Sequence, residues 1–388
     1  MRIAIDGGTW TNRRGYGRFT REVVGALARL RTGHELHLLV HESAMSFGIP
    51  DGLEVTRVAT RESPAEAARA DGYRSPRDLW TMSRAIRKAA ADVVFFPSVY
   101  SYVPVAPGTR TVVTIHDVIP ERYPRLVFPS LRARAFWRLK VGLAARQAAR
   151  VIAVSTHSRD GIVERLHVDA GRIRIVPEAP ASAFKPVTDT TARAAARRSV
   201  GVDPGAPLAI YLGGIAPHKN LAMLVDVFAD LVRTPELAAA RLLLVGDYAD
   251  RTFLSSYPAL RAQVDSRTAA VIFTGALADD TVAALFSSGA VCVLPSFDEG
   301  FGLPAIEAAA CGAAVVATRS SAVPEVLGDA ALYIDPRSPA DLRRELERAL
   351  VDRALARALG AKAAQRAAAL SWEASARRLL DVFEELAT

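Results

Sequence analysis

The stretch VCVLPSFDEGFGLPAIEAAACGAAVVAT (residues 291–318) decides how the rest of the chain is read. Its apolar opening, ending at Leu294, has the length and composition of a buried parallel strand. Pro295 and Ser296 end that strand, and the loop FDEGFG follows. Pro304 suits the first turn of a helix, where its missing N–H costs nothing. The helix runs through Ala310, breaks at Cys311 and Gly312, and yields to a second apolar run, AAVVAT. The unit is strand–loop–helix–strand, with an acidic, glycine-rich loop at the strand's carboxyl end. Open α/β sheets bind their ligands at that end.

Two carboxylates frame the loop, Glu299 before the helix and Glu307 within it. Glu307 follows Leu303 by about one turn, and helical side chains lean back toward the N-terminus, so its carboxylate reaches toward the loop. Between the two, the N–H groups of Phe301, Gly302 and Leu303 carry the partial positive charge of a helix start, suited to a phosphate or a hydroxyl. Gly300 and Gly302 let a ligand come close to the backbone. Carboxylate acceptors combined with helix-start donors suit a polyhydroxylated, phosphorylated molecule such as a nucleotide sugar.

EGFGLPAIE, with its two glutamates after a strand ending in Pro-Ser, resembles the signature of family 4 glycosyltransferases. These are retaining enzymes of the GT-B fold, built from two Rossmann-like domains. The resemblance implies that Glu299 contacts hydroxyls of the donor sugar and Glu307 the ribose of the nucleotide.

Composition sets the outer bounds. At 388 residues, 50% hydrophobic and 23% charged, the chain is globular and long enough for two domains. Apolar runs are strand-length, so no transmembrane helix is expected. MRIAID reads as a strand and not as a signal peptide. The two cysteines, Cys292 and Cys311, sit in apolar surroundings as small core residues. A cytoplasmic protein is expected. The net charge of +8 comes from arginines spread over helix faces, as in RARAFWRLK (132–140) and RAAARRS (193–199). That pattern fits a solvated surface, or peripheral contact with an anionic membrane at its inner face. Aromatics interleaved with basic residues, as in a nucleic-acid platform, are missing from the sequence.

Taken in order, residues 2–6 form a first strand, followed by a glycine-bearing loop and a helical pattern over 19–30. A loop in that place handles phosphates in α/β proteins, although Gly15 and Gly17 also serve as plain turn residues. IDGGTW…RRGYGRFTREV is similar to the opening of many family 4 enzymes, which implies that this loop faces the diphosphate and the acceptor. Strands are expected at 35–40, 53–58, 91–97 and 111–117, with a helix near 77–91. His116 and Asp117 end the last of these strands. HDVIPERYP resembles the family's HD motif, which implies that His116 contacts the donor sugar; Asp117 either meets ligand, orients His116 or caps. A long helix over 130–148 leads to the strand RVIAVS, where Ser155 suits a helix N-cap, and IRIVP closes the first domain near residue 177.

Residues 178–206 are expected to be a linker with a surface helix. The βα pattern then restarts with PLAIYLGGI (207–215). Lys219 lies at the start of the next helix, beside a glycine loop, where it joins backbone amides around a diphosphate; relatives carry a similar Pro-x-Lys-Asn-Leu segment. Gly214 stands where the family often has an arginine, and either His218 or Arg18 supplies the second cation. Strands follow at 241–247 and 271–277, and the resemblance puts the loop at Gly275 beside the nucleotide base. SSAVPEVLGDAALYIDP continues as the family does, with Glu325 capping or orienting its loop. Residues 339–369 read as helical, and 370–388 as an amphipathic helix that in GT-B enzymes crosses back to the N-terminal domain.

The sequence therefore predicts two doubly wound Rossmann-like domains facing across a cleft, 1–177 on the acceptor side and 207–369 on the nucleotide-sugar side. The implied reaction is transfer of a hexose, with GDP-mannose favoured as donor, to a hydroxyl on a glycan, lipid-linked or small-molecule acceptor. The catalytic set is His116, Lys219 and Glu299; Gly15, Gly17, Gly214, His218, Gly275, Phe301, Gly302, Leu303 and Glu307 hold the donor. No cofactor is expected, and no metal, since neither an Asp-x-Asp sequence nor a His/Cys cluster is present. An epimerase or phosphorylase of the same fold, or a non-catalytic sugar-nucleotide binder, shares these features. A dinucleotide fingerprint directly after a strand is missing, which argues against a dehydrogenase.

Overall fold

The computed structural model describes residues 1–12, 15–60, 75–248 and 254–387. They fall into two compact units, one containing the residues up to Glu178 together with those from Ser371 onward, the other the residues between. Each unit is an α/β layer structure with its own all-parallel sheet.

The first sheet has seven strands: β1 (Arg2–Asp6), β2 (Glu35–Val40), β3 (Glu54–Arg57), β4 (Val93–Phe96), β5 (Thr111–Thr114), β6 (Arg150–Ala153) and β7 (Ile173–Ile175). They run in the order β3-β2-β1-β4-β5-β6-β7. Strands β4 and β5 are buried at every position, as continuous apolar runs covered by helices on both faces must be. The helix Gly15–Leu30 turns Phe19, Val23, Val24 and Leu27 inward, and the helix Trp372–Ala387 packs along it. Trp372 meets Phe19 edge-on at 5.8 Å and Phe383 meets Phe95 at 5.3 Å. A fully buried aromatic of this kind stabilises the fold by about 1.5–3 kcal/mol. Ser375 Oγ donates to the Pro177 carbonyl at 2.6 Å, fixing the helix start against the end of β7.

Two boundaries differ from the sequence expectation. The first helix begins at Gly15 and not at residue 19, so Gly15 and Gly17 occupy its first turn instead of a loop. A Cβ at Gly17 would lie far inside contact with the Asn12 carbonyl, so glycine lets the helix start pass the loop before it. Arg21 Nη1 holds that loop by donating to the carbonyls of Trp10 (2.5 Å) and Asn12 (2.8 Å). Strand β5 ends at Thr114, three residues earlier than its apolar run. Asp117 Oδ1 accepts from Ile119 N at 2.9 Å and turns the chain into the short helices Ile119–Arg122 and Pro124–Val127. Asp117 thus caps, as does Ser155, which accepts from Ser158 N at 3.0 Å.

The second sheet has six strands: β8 (Leu208–Leu212), β9 (Arg241–Val245), β10 (Val271–Gly275), β11 (Val291–Leu294), β12 (Ala314–Thr318) and β13 (Leu332–Ile334). Their order is β10-β9-β8-β11-β12-β13, which reverses between β8 and β11. The helix Thr190–Ser199 packs on the helix Asp279–Ser287, with Arg197 Nε donating to Ser288 Oγ at 2.8 Å, so it belongs to this unit's body. The helix Leu303–Ala310 lies on the helix Arg353–Ala368, where Gly360 has no Cβ to press into the Gly312 carbonyl. The alanine-rich run 339–369 is two helices, Pro339–Val351 and Arg353–Ala368. Asp352 separates them and caps the second by accepting from Ala354 N and Leu355 N.

Candidate functional site

The switch point between β8 and β11 is where the two glycine-bearing loops of the second unit meet, and ligands of open α/β sheets bind at such points. After β8 the chain passes Gly213 and Gly214 and forms a short turn, Pro217–Lys219. Asn220, in the left-handed region at φ +58°, ends that turn and begins the helix Leu221–Leu231. Its Nδ2 donates to the carbonyls of Pro295 (3.1 Å) and Pro336 (2.8 Å). Phe297 N donates to the His218 carbonyl at 3.0 Å. The turn carrying Lys219 is thus tied by its backbone to the loop after β11.

Lys219 and Glu299 face each other across that junction. Lys219 Nζ donates to Glu299 Oε1 at 2.8 Å and to Oε2 at 3.0 Å, and Ser296 Oγ donates to Oε1 at 2.6 Å. Gly302 has φ +83°, and a Cβ there would drive into the Val323 side chain; only glycine makes this bend. The first intrahelical bond runs from Ala305 N to the Gly302 carbonyl at 2.8 Å. The N–H of Leu303 therefore precedes the helix's own acceptors and points out of its start. Glu307 is buried in the helix, 2% exposed. Burial pushes the Cys292 thiol far up, and the charges of Glu307 and Glu299 push it further. Cys311 is pushed up to about 12, by burial above all, with Glu307 adding. Both buried thiols are thereby held in the protonated form.

Gly275 lies two strands from β8, at the end of β10. It adopts φ +75°, and its N–H donates to the Tyr248 hydroxyl. Tyr248 stacks on Tyr257 at 4.8 Å with 1° between planes, and Phe273 meets both edge-on. This aromatic group has no periodic signal in the sequence and depends on β9 and β10 being neighbours. Gly214 offers its carbonyl to the Tyr211 hydroxyl at 2.8 Å, and His218 is buried at the same junction.

In the first unit, His116 sits just past β5, buried, with Phe19 edge-on at 4.9 Å. Its Nε2 lies 3.0 Å from the Pro97 carbonyl and its Nδ1 3.2 Å from Glu178 Oε1. Glu178 was missed in the sequence; its only signal is its place at the carboxyl end of a strand, in IRIVPE. Tyr16, between Gly15 and Gly17, stacks on Tyr100 at 4.8 Å. Nearby, half-buried Glu121 accepts from Trp137 Nε1 at 2.7 Å. Burial, opposed by that bond and reinforced by Asp117, pushes its carboxyl up to about 7.

Comparison with known proteins matches this anatomy. Residues 13–179 match the family model described as Glycosyltransferase Family 4, and residues 206–352 that described as Glycosyl transferases group 1. The serotype-specific mannosyltransferase WbdA of Escherichia coli is 29% identical over 78% of this chain, and the match covers 38% of WbdA. A D-inositol 3-phosphate glycosyltransferase of Streptomyces bingchenggensis is 30% identical over 61% of this chain and 53% of its own length. The chain thus matches between about a third and about half of the length of these relatives. Among solved structures, sucrose-phosphate synthase from Thermosynechococcus elongatus shares the fold over 100% of this chain and 99% of its own, with TM-score 0.77 at 22% identity. The chain thus joins a glycosyltransferase family 4 domain, residues 13–179, to a glycosyl transferases group 1 domain, residues 206–352.

Proposed function

We propose that the chain is a retaining, metal-independent glycosyltransferase that moves a hexose from a nucleoside diphosphate sugar, with GDP-mannose the favoured donor, to a hydroxyl on a glycan, glycolipid or small molecule. The observation that supports this most is the cluster at the β8/β11 switch point: an ammonium, two carboxylates and a glycine-led helix start within one loop junction. The mannosyltransferase named among the relatives supports the choice of sugar. An ammonium has three donors, and two of Lys219's are directed at Glu299; the third is available to a diphosphate oxygen. In the reaction the acceptor oxygen bonds to the anomeric carbon as the bond to the diphosphate breaks, on the same face. The acceptor's proton passes to the departing diphosphate. Lys219 and the helix start stabilise the charge that develops there, while Glu299 holds the sugar. Glu307 holds the ribose. The test is incubation of the full chain with GDP-mannose and a mannoside acceptor in EDTA, with the product's anomeric configuration read by NMR. An α-linked product and GDP release that requires acceptor are expected. An inverted product, epimerised donor or strict dependence on added magnesium would refute the corresponding part.

We further infer that the protein works in the cytoplasm, peripherally bound to the anionic inner face of a membrane. The helix Leu131–Gln147 leaves Leu131 82%, Leu139 70% and Phe136 40% exposed. The same helix carries Arg132, Arg134, Arg138, Lys140 and Arg146 and no acidic residue. An apolar stripe flanked by cations matches a lipid surface with negative headgroups. Among the described residues no helix is long and apolar enough to cross a membrane.

A further inference from the structure

Of the four tryptophans, Trp10, Trp137 and Trp372 are buried, and Trp80 is 58% exposed. It stands on the helix Pro76–Lys88, which turns Asp78, Met82 and Ile86 inward. Positions three and four apart share a helix face. Arg77, Trp80, Arg84 and Arg87 therefore form one stripe on the opposite side, and all four are exposed. The Arg84 guanidinium lies 5.2 Å from the centre of the Trp80 ring, a cation–π contact. Lys88 extends the positive charge, while the helix's one carboxylate, Asp78, is on the buried side. An indole set among cations, with no exposed acid beside it on the helix, is complementary to the headgroup region of an anionic lipid layer. Both the apolar body and the polar N–H of tryptophan are accommodated there.

This helix and the helix Leu131–Gln147 cover the same face of the first sheet. They lie in the connections β3 to β4 and β5 to β6, which run the same way across the strand order, and right-handed crossovers put both on one side. Met82 and Ile86 of the first helix share one core cluster with Trp137 and Val141 of the second. The segment between β4 and β5 ties the two together: Ser83 Oγ donates to the Pro104 carbonyl at 2.7 Å, and Gln147 Nε2 to the Val105 carbonyl at 3.1 Å. The stripe of Trp80 thus belongs to the helix layer that also exposes Leu131, Phe136 and Leu139.

We propose that Trp80 is a membrane anchor: its indole inserts at the headgroup level of an anionic lipid surface, and Arg77, Arg84 and Arg87 meet the phosphates around it. This rests on the membrane reading of the helix Leu131–Gln147 and adds to it a second helix and the residue that enters the lipid.

The test uses the full chain and vesicles of phosphatidylcholine with phosphatidylglycerol, with and without bromine on the acyl chains, and reads tryptophan emission. With the other three tryptophans buried, Trp80 dominates any change on binding. Emission should shift to the blue on the vesicles and be quenched by the brominated lipid. Both effects should vanish in Trp80→Phe, which should still sediment with the vesicles. Trp80→Ala should weaken partitioning by about tenfold, the worth of burying part of a large side chain. Urea midpoints of both variants should match the parent's, because the side chain is exposed. Unquenched emission from parent protein that sediments with brominated vesicles, or quenching that persists in Trp80→Phe, overturns the anchor and leaves the helix Leu131–Gln147 as the contact. An emission shift with polyglutamate and none with vesicles assigns the stripe to an acidic protein partner and overturns the lipid. A parent protein that does not sediment with anionic vesicles removes the membrane reading and the anchor together.

Discussion

Lys219 and Glu299, 80 positions apart in sequence, form a two-pronged ion pair, with Nζ 2.8 and 3.0 Å from the two carboxylate oxygens. The side chains are 20% and 12% exposed, so neither charge is fully hydrated when its partner is removed. Read separately in the sequence, one suited a diphosphate and the other a sugar. Joined, the ammonium and the carboxylate form a single element whose halves hold each other in place.

Coupling between the two follows directly. Lys219→Ala leaves Glu299 with the Ser296 hydroxyl as its side-chain donor among the described residues, and should destabilise the chain by about 1–3 kcal/mol. Removing both side chains should cost less than the sum of the single changes. Urea unfolding of the two single variants and the double variant measures this. Strict additivity, within about 0.3–0.5 kcal/mol, would mean the pair contributes no mutual stabilisation.

Glu299 and Glu307 should fail differently in catalysis. On the proposed roles, Glu299→Gln weakens the hold of Lys219 and the grip on the sugar, so turnover should fall by about ten- to hundredfold with GDP affinity nearly intact. Glu307→Gln should mainly weaken GDP itself. Steady-state transfer with donor varied and calorimetry with GDP separate the two. The roles are reversed if Glu299→Gln weakens the bare nucleotide and Glu307→Gln does not.

Much of this arrangement is legible in the sequence, because parallel strands buried on both faces are apolar runs and their carboxyl ends carry the polar residues. β11, the helix at Leu303 and β12 stand in the sequence as they stand in the fold. What escapes is long-range. Gly17 reads as loop because the Asn12 carbonyl that demands a glycine there acts through space. The break at Asp352 hides in an alanine-rich run, since one capping carboxylate is a weak signal among strong helix formers. Glu178 is 62 positions from His116, and nothing short of the pairing of β5, β6 and β7 brings them together.

Glu121 gives a pH signature for the first unit. Its carboxyl is raised from 4.5 in the unfolded reference to about 7, chiefly by burial. Between those values the folded state binds more protons than the unfolded state, so stability falls as pH rises. The penalty is absent below about pH 4.5 and complete above about pH 7, and a shift of this size corresponds to on the order of 3 kcal/mol. Glu121→Gln keeps an acceptor for Trp137 Nε1 and removes the titration. Its stability relative to the parent should therefore climb from pH 4.5 to 7 and level off above. A difference that is flat across this range would show that Glu121 is ionised in the fold without cost.

The last prediction concerns the helix Leu131–Gln147. Its exposed residues Leu131, Phe136 and Leu139 carry little of the fold's stability, so polar replacements there should change unfolding by no more than about 0.5 kcal/mol. Its buried side, Ala133, Trp137, Val141 and Ala144, holds it to the first unit and is untouched by such changes. Binding to vesicles therefore reports the outer face alone. The parent protein should sediment with phosphatidylcholine vesicles only when phosphatidylglycerol is included, and high salt should release it, because each basic residue near such a surface contributes about 1 kcal/mol and is screened within a Debye length. Arg132→Glu with Arg138→Glu should abolish binding at physiological salt. Leu131→Ser with Leu139→Ser should weaken it while preserving the salt dependence, since the apolar and electrostatic contributions are separate. Transfer to a water-soluble acceptor should survive all four changes. Binding that ignores vesicle charge, or that persists in both pairs of variants, would show that the helix face is an ordinary solvated surface.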